Sequence, residues 1–155
     1  FVPHPQSGWF FVSHALRPQQ SKDINNWQNN KQTFIGYYAQ IIQRYKEIQP
    51  KAKFFLVTMP HSERADREKA EDIHADLMYQ LAEKFDNTYV IDFRKYAPLY
   101  DNEFKSKFYL HTHLNVFGYI LTAKMMMSYI DYIIKNNPED FIMVPFIGKN
   151  IKTNE

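Results

Sequence analysis

The chain has 155 residues, with 13 Phe, 11 Tyr and 2 Trp, no cysteine, and four glycines where a usage of about 7% would give roughly eleven. Lack of cysteine excludes a disulfide framework, a thiol nucleophile and a cysteine zinc site, and Gly8, Gly36, Gly118 and Gly148 lie too far apart for a phosphate-cradling loop. The net charge of +2 comes from 19 basic and 17 acidic residues with no basic run longer than two, so no nucleic-acid partner is expected.

At 45% hydrophobic and 23% charged residues, the composition is that of a globular protein, and the length fits one domain over residues 1–155. No apolar stretch approaches the ~20 residues of a membrane span. The first residues form neither a basic n-region nor an apolar h-region, so no signal peptide is visible and the expectation leans to the cytoplasm.

Trp9-Phe-Phe-Val-Ser13 reads as a short buried strand, and the polar stretch Gln19 to Lys31 as a surface loop. A helix is predicted over about 31–49. Its apolar residues Phe34, Tyr37, Tyr38, Ile41, Ile42, Tyr45 and Ile48 follow the i, i+3, i+4, i+7 spacing, and Pro50 closes it. Lys53-Phe-Phe-Leu-Val-Thr58 reads as a buried strand ending at Met59-Pro60. A second helix covers about 66–86, with Ala70, Ile73, Leu77, Met78, Leu81 and Phe85 on one face. Thr88-Tyr-Val-Ile-Asp-Phe93 reads as another strand. A loop from about 96 to 115 precedes a third helix over about 116–136, apolar around most of its circumference and stopped by Asn136-Asn137-Pro138. Phe141 to Ile147 reads as a strand or an extended tail.

Buried strands alternating with helices predict parallel β-α-β units, an α/β fold with helices on both faces of the sheet. Ligands in such sheets sit beyond the carboxyl ends of the strands. The positions to inspect are therefore Ser13 and His14, Met59 to Ser62, Asp92, and the loop from His111 to Asn115.

In that loop a histidine precedes Leu-Asn and then a glycine and an aromatic that open a long helix. The imidazole is placed to act as general base to a hydroxyl nucleophile, Asn115 to cap the helix, and Gly118 to allow close approach. His113-Leu-Asn-Val-Phe-Gly-Tyr119 resembles the last block of the SGNH/GDSL hydrolases, D-x-x-H-[LP]-N-x-x-G-[YH]. Pro50-Lys-Ala-Lys-Phe-Phe-Leu-Val-Thr-Met-Pro60, the following helix, the Val90-Ile-Asp-Phe93 strand, Tyr129-Ile-Asp-Tyr-Ile-Ile134 and Asn137-Pro-Glu-Asp-Phe141 fit in the same order, so the resemblance covers roughly residues 31–148.

The resemblance implies a three-layer α/β/α sandwich around a parallel sheet (SGNH/flavodoxin-like). It also implies hydrolysis of acyl esters of lipids or sugars by a serine, with His113 as general base and no metal or other cofactor. The chain departs from the family at defined points. Leu110 stands where the block has its aspartate, leaving Asp92 or Asp101 as substitutes or a Ser–His dyad. G-D-S has no counterpart, and Ala15-Leu-Arg-Pro18 is the only candidate for G-x-N-D. The serines at 7, 13, 21, 62, 106 and 128 include no recognisable nucleophile. The expectation is thus the C-terminal two-thirds of the fold, with an exposed sheet edge that invites self-association. A catalytically inactive or truncated member acting as a binding or assembly module is the alternative.

Several residues have plainer expected roles. Asp92 bonds loop amides, His74 sits at the boundary of the apolar face of the helix over 66–86, Met125, Met126 and Met127 are core, and the run from Glu63 to Lys69 is a solvated helix start. Trp27 is the aromatic left to line a substrate or partner surface. His111 and His113 with His61 or His14 would make a three-imidazole zinc site, a weaker alternative.

Overall fold

The structure, a computed structural model, describes residues 26–30 and 32–142. The expected strand Trp9–Ser13, the residues Ser13, His14 and Ala15 to Pro18, and most of the segment from Phe141 to Ile147 lie outside the described residues. The chain divides into two compact units, Phe1–Leu99 and Tyr100–Glu155. The architecture is α/β, with parallel strands and intervening helices in the predicted order.

In the first unit a 3-10 turn at Trp27–Asn29 leads into α1 (Phe34–Ile48). The Thr33 hydroxyl accepts the Gly36 N–H at 3.2 Å and starts the helix, and Pro50 follows its end. The buried face of α1 is Ile35, Ala39 and Ile42: of the predicted stripe Ile42 is buried and Phe34 and Tyr38 pack against the core, whereas Tyr37, Ile41, Tyr45 and Ile48 are exposed. The apolar residues of this helix cover too wide an arc for periodicity to pick the inner side. Polar contacts and small residues pick it instead. Asn30 is buried and donates to Gln43 Oε1 at 3.1 Å, and Gly36 and Ala39 face inward.

β1 (Phe54–Val57), α2 (Ala65–Lys84) and β2 (Thr88–Ile91) form the β-α-β unit. The two strands pair in parallel with Phe54 opposite Thr88 and Val57 opposite Ile91. Asn87 enters β2 with φ 57°, a left-handed conformation that asparagine tolerates, and its carbonyl accepts the Phe54 N–H at 2.8 Å. Ile35, Ala39 and Ile42 from α1, Leu56 from β1, and Leu77, Met78, Leu81 and Phe85 from α2 and its cap form one buried cluster. Each of these side chains larger than alanine contributes about 1.5–3 kcal/mol relative to exposure. The predicted second strand ends two residues early, because Asp92 caps the one-turn helix α3 (Phe93–Tyr96) by accepting the Lys95 N–H at 3.1 Å.

The second unit fills the predicted loop with structure. Asp101 caps α4 (Asn102–Phe108) by accepting the Phe104 N–H at 2.7 Å. The Tyr100 and Phe104 rings stack at 4.0 Å, with Phe108 4.7 Å from Phe104. β3 (Tyr109–Leu110) and β4 (His113–Leu114) make an antiparallel hairpin, and α5 (Val116–Asn136) follows with the predicted bounds. The described residues of α5 bury only Gly118 and Ile133; Met127 is exposed, against the expectation that it is core. A 3-10 turn at Pro138–Phe141 buries Phe141. No helix of the described residues is long and apolar enough to cross a membrane.

Candidate functional site

The carboxyl ends of β1 and β2 hold a polar network centred on Thr58, Asp92 and Arg94. Thr58 follows β1 and is 1% exposed. Its hydroxyl donates to Asp92 Oδ1 at 2.9 Å and accepts the Arg94 N–H at 2.8 Å, so one side chain ties both strand ends together. Asp92 Oδ2 accepts the Tyr79 hydroxyl at 2.6 Å. With Oδ1 also capping α3, this carboxylate is committed to structure, as its position after a buried strand predicts. It is not free to orient a catalytic imidazole.

The Arg94 side chain, 7% exposed, is the feature that sequence reasoning missed. Its guanidinium donates to Glu71 Oε2 at 2.9 Å, to Asp72 Oδ1 at 2.9 Å and to the Glu68 carboxylate. Glu68, Glu71 and Asp72 stand at i, i+3 and i+4 on α2, one face of a helix. An arginine three residues past a buried strand, with three carboxylates so spaced on the preceding helix, was the available signal. The start of α2 is solvated as expected at Glu63 to Asp66 and at Lys69, and Glu68 is the exception. Glu68 closes the β1–α2 loop as well: His61 Nδ1 lies 2.9 Å from Oε2, and the Ser62 N–H donates to Oε1 at 3.4 Å. Burial acts to raise the Glu68 pKa, but hydrogen bonds from His61 and Arg94 outweigh it and hold the carboxyl below its usual range. Arg94 is held above its ordinary value by Glu68 and Asp72, against the opposing effect of its burial.

In the second unit His113 is exposed and lies in β4, directly opposite Leu110 of β3. Two residues, His111 and Thr112, close the hairpin, and His111 has φ 59°. A positive φ at the first loop position is where glycine is preferred, so the histidine there carries backbone strain. Asn115 is used on every side. Its Oδ1 accepts the Gly118 N–H at 3.0 Å, its Nδ2 donates to the Lys107 carbonyl at 2.8 Å, and its own N–H donates to the Phe108 carbonyl at 2.8 Å. Gly118 is equally constrained. A Cβ there would press into the Phe108 carbonyl oxygen and lie 2.8 Å from Leu114 Cδ2. The expected roles of cap and close approach are therefore seen at Asn115 and Gly118.

The other candidates resolve as follows. Asp101 serves as the cap of α4. His61 is paired with Glu68, and among the described residues no group of three His, Asp or Glu side chains could hold a metal ion. Trp27 lies beneath the Arg44 guanidinium, 4.7 Å from its ring centre, so the 3-10 turn packs on the following helix α1 and the ring does not stand free. Compared with known proteins, the chain matches no protein-family model, no curated protein and no solved structure.

Proposed function

We propose that this chain carries the general-base segment of an SGNH-type serine hydrolase acting on acyl esters, with His113 taking the proton of the attacking hydroxyl. The observation that carries the reading is the local build of residues 113–119. The imidazole is presented to solvent immediately ahead of α5, Asn115 fastens the helix start to α4, and Gly118 leaves no space for a side chain. Those are the physical demands that account for His, Asn and Gly in the block this segment resembles. The parallel β-α-β unit is compatible with a three-layer α/β/α sandwich, the wider fold that belongs to the same proposal. The substrate is a small ester; a metal plays no part in the step.

Leu110 favours a second reading, a binding or assembly module without catalysis. In the hairpin, position 110 faces His113 directly, and opposed residues have Cβ atoms about 4.5–5.5 Å apart. An aspartate here would meet the imidazole; leucine leaves it without an orienting carboxylate among the described residues. Asp92 and Asp101 both have other partners. Leu110→Asp separates the readings. Under the hydrolase reading, this substitution raises the rate of p-nitrophenyl acetate hydrolysis at least about tenfold, since orienting the base is worth that much or more. No hydrolysis by either the wild type or the variant would leave the binding module as the account of the chain.

A further inference from the structure

His74 is a titratable side chain that neither the polar network nor the histidine hairpin uses. It lies on α2 at the seam with α1, with its ring centre 5.4 Å from that of Phe34, the first residue of α1. Phe34 in turn packs against Tyr38 at 4.9 Å, and both rings rest on the buried cluster that joins α1 to α2 and β1. The Nδ1 atom of His74 is shut away from solvent with no hydrogen-bond partner among the described residues. His74 as a whole is half-buried, and a proton on an imidazole whose Nδ1 is shut from solvent without a partner is costly, because burial disfavours the charged form.

Among the described residues the surroundings offer no relief. From α1 the neighbours are the Phe34 ring and, against it, the Tyr38 phenol. On α2, Glu71 lies one turn back and Asp72 two residues back, and both are bonded to Arg94. Asp76, two residues on, is exposed. Burial alone holds the imidazole below its ordinary pKa, with no neighbouring charge opposing it.

We propose that His74 is an acid-sensitive latch at the α1–α2 seam: its protonation undocks α1, together with the 3-10 turn that Trp27 and Asn30 fix to it, from the β-α-β unit. The direction follows from linkage. A histidine that resists protonation when docked takes up a proton more readily when α1 has lifted and water reaches the ring. Docking is thus at full strength above the ordinary histidine pKa of about 6.5 and weakens as the pH falls below it.

Amide hydrogen exchange on the full chain, corrected for intrinsic exchange rates, tests the latch. Between about pH 7 and about pH 5 the protection of α1 amides is expected to fall several-fold, with a ceiling of about 25-fold for one histidine of ordinary unfolded pKa. Amides of β1, β2 and the core-facing half of α2 should change less. In His74→Leu, and in His74→Gln, which keeps a polar but neutral side chain, the selective fall should vanish. Two variants are needed because one of them alone could disturb packing at all pH values. Equal falls in the wild type and both variants, or no selective fall in the wild type, would overturn the proposal.

Discussion

Arg94→Met is expected to destabilise the first unit by about 3–5 kcal/mol, the usual cost of removing one partner from a buried ion pair, here Arg94 with Glu71. The reason lies in what the substitution leaves behind. Glu71 is 9% exposed and depends on the guanidinium, and Glu68 and Asp72 converge on the same group. Taking away the single positive charge leaves like charges one turn apart on α2. The β1–α2 loop loses its anchor too, because Glu68 grips His61 and Ser62 from a position that Arg94 fixes. The backbone N–H of residue 94 still donates to Thr58, so the loss is confined to the side chain. Urea denaturation monitored on the full chain measures the effect, and Glu71→Gln in the Arg94→Met background should recover part of it. A change below about 1 kcal/mol would mean that the carboxylates find water without the arginine. Acid acts on the same cluster from the other side. Because the folded pKa of Glu68 is lowered, its contribution is present above the ordinary carboxylate pKa and is lost as the pH falls through the folded value.

Gly118→Ala is expected to destabilise the second unit by about 1–3 kcal/mol, the usual penalty of overpacking. The sign is what makes this test decisive. In an unobstructed helix the same change would stabilise by about 1 kcal/mol through helix propensity. Here the added methyl meets the Phe108 carbonyl oxygen, a backbone atom that cannot rotate away, and Leu114 Cδ2. That same carbonyl accepts the Asn115 N–H, so relief of the clash opens the joint between α4, the hairpin and α5. Thermal or urea unfolding of the variant measures the shift, and a gain in stability would show that α5 does not approach α4 as described.

The parts of the fold readable in the sequence were those with a single solution. Phe54–Val57 and Thr88–Ile91 lie in short apolar runs whose existence is plain though the predicted strands overran them by one or two residues, and α5 runs from an asparagine cap to Asn-Asn-Pro, so its bounds are strongly marked. The buried face of α1 was not readable, since seven apolar residues cover both candidate sides and the choice falls to Gly36, Ala39 and the Asn30–Gln43 bond. The hairpin at 109–114 escaped because its two-residue strands are too short for any periodicity, and because a histidine occupies the turn position where glycine gives the usual signal. Of the candidate site, Asn115 and Gly118 were legible because capping and close approach are local demands. The Arg94 cluster was not, because it joins residues 22 to 26 positions apart whose charges, taken singly, look like those of any solvated helix.

The hydrolase reading rests on one imidazole, and one comparison addresses it most directly: initial rates of p-nitrophenyl acetate hydrolysis by the full chain, its His113→Ala variant and its His111→Ala variant. General-base catalysis predicts a loss of at least about 100-fold for His113→Ala. His111→Ala, which removes the neighbouring imidazole from the hairpin tip, should leave the rate largely intact. Hydrolysis that survives His113→Ala unchanged would contradict the assignment.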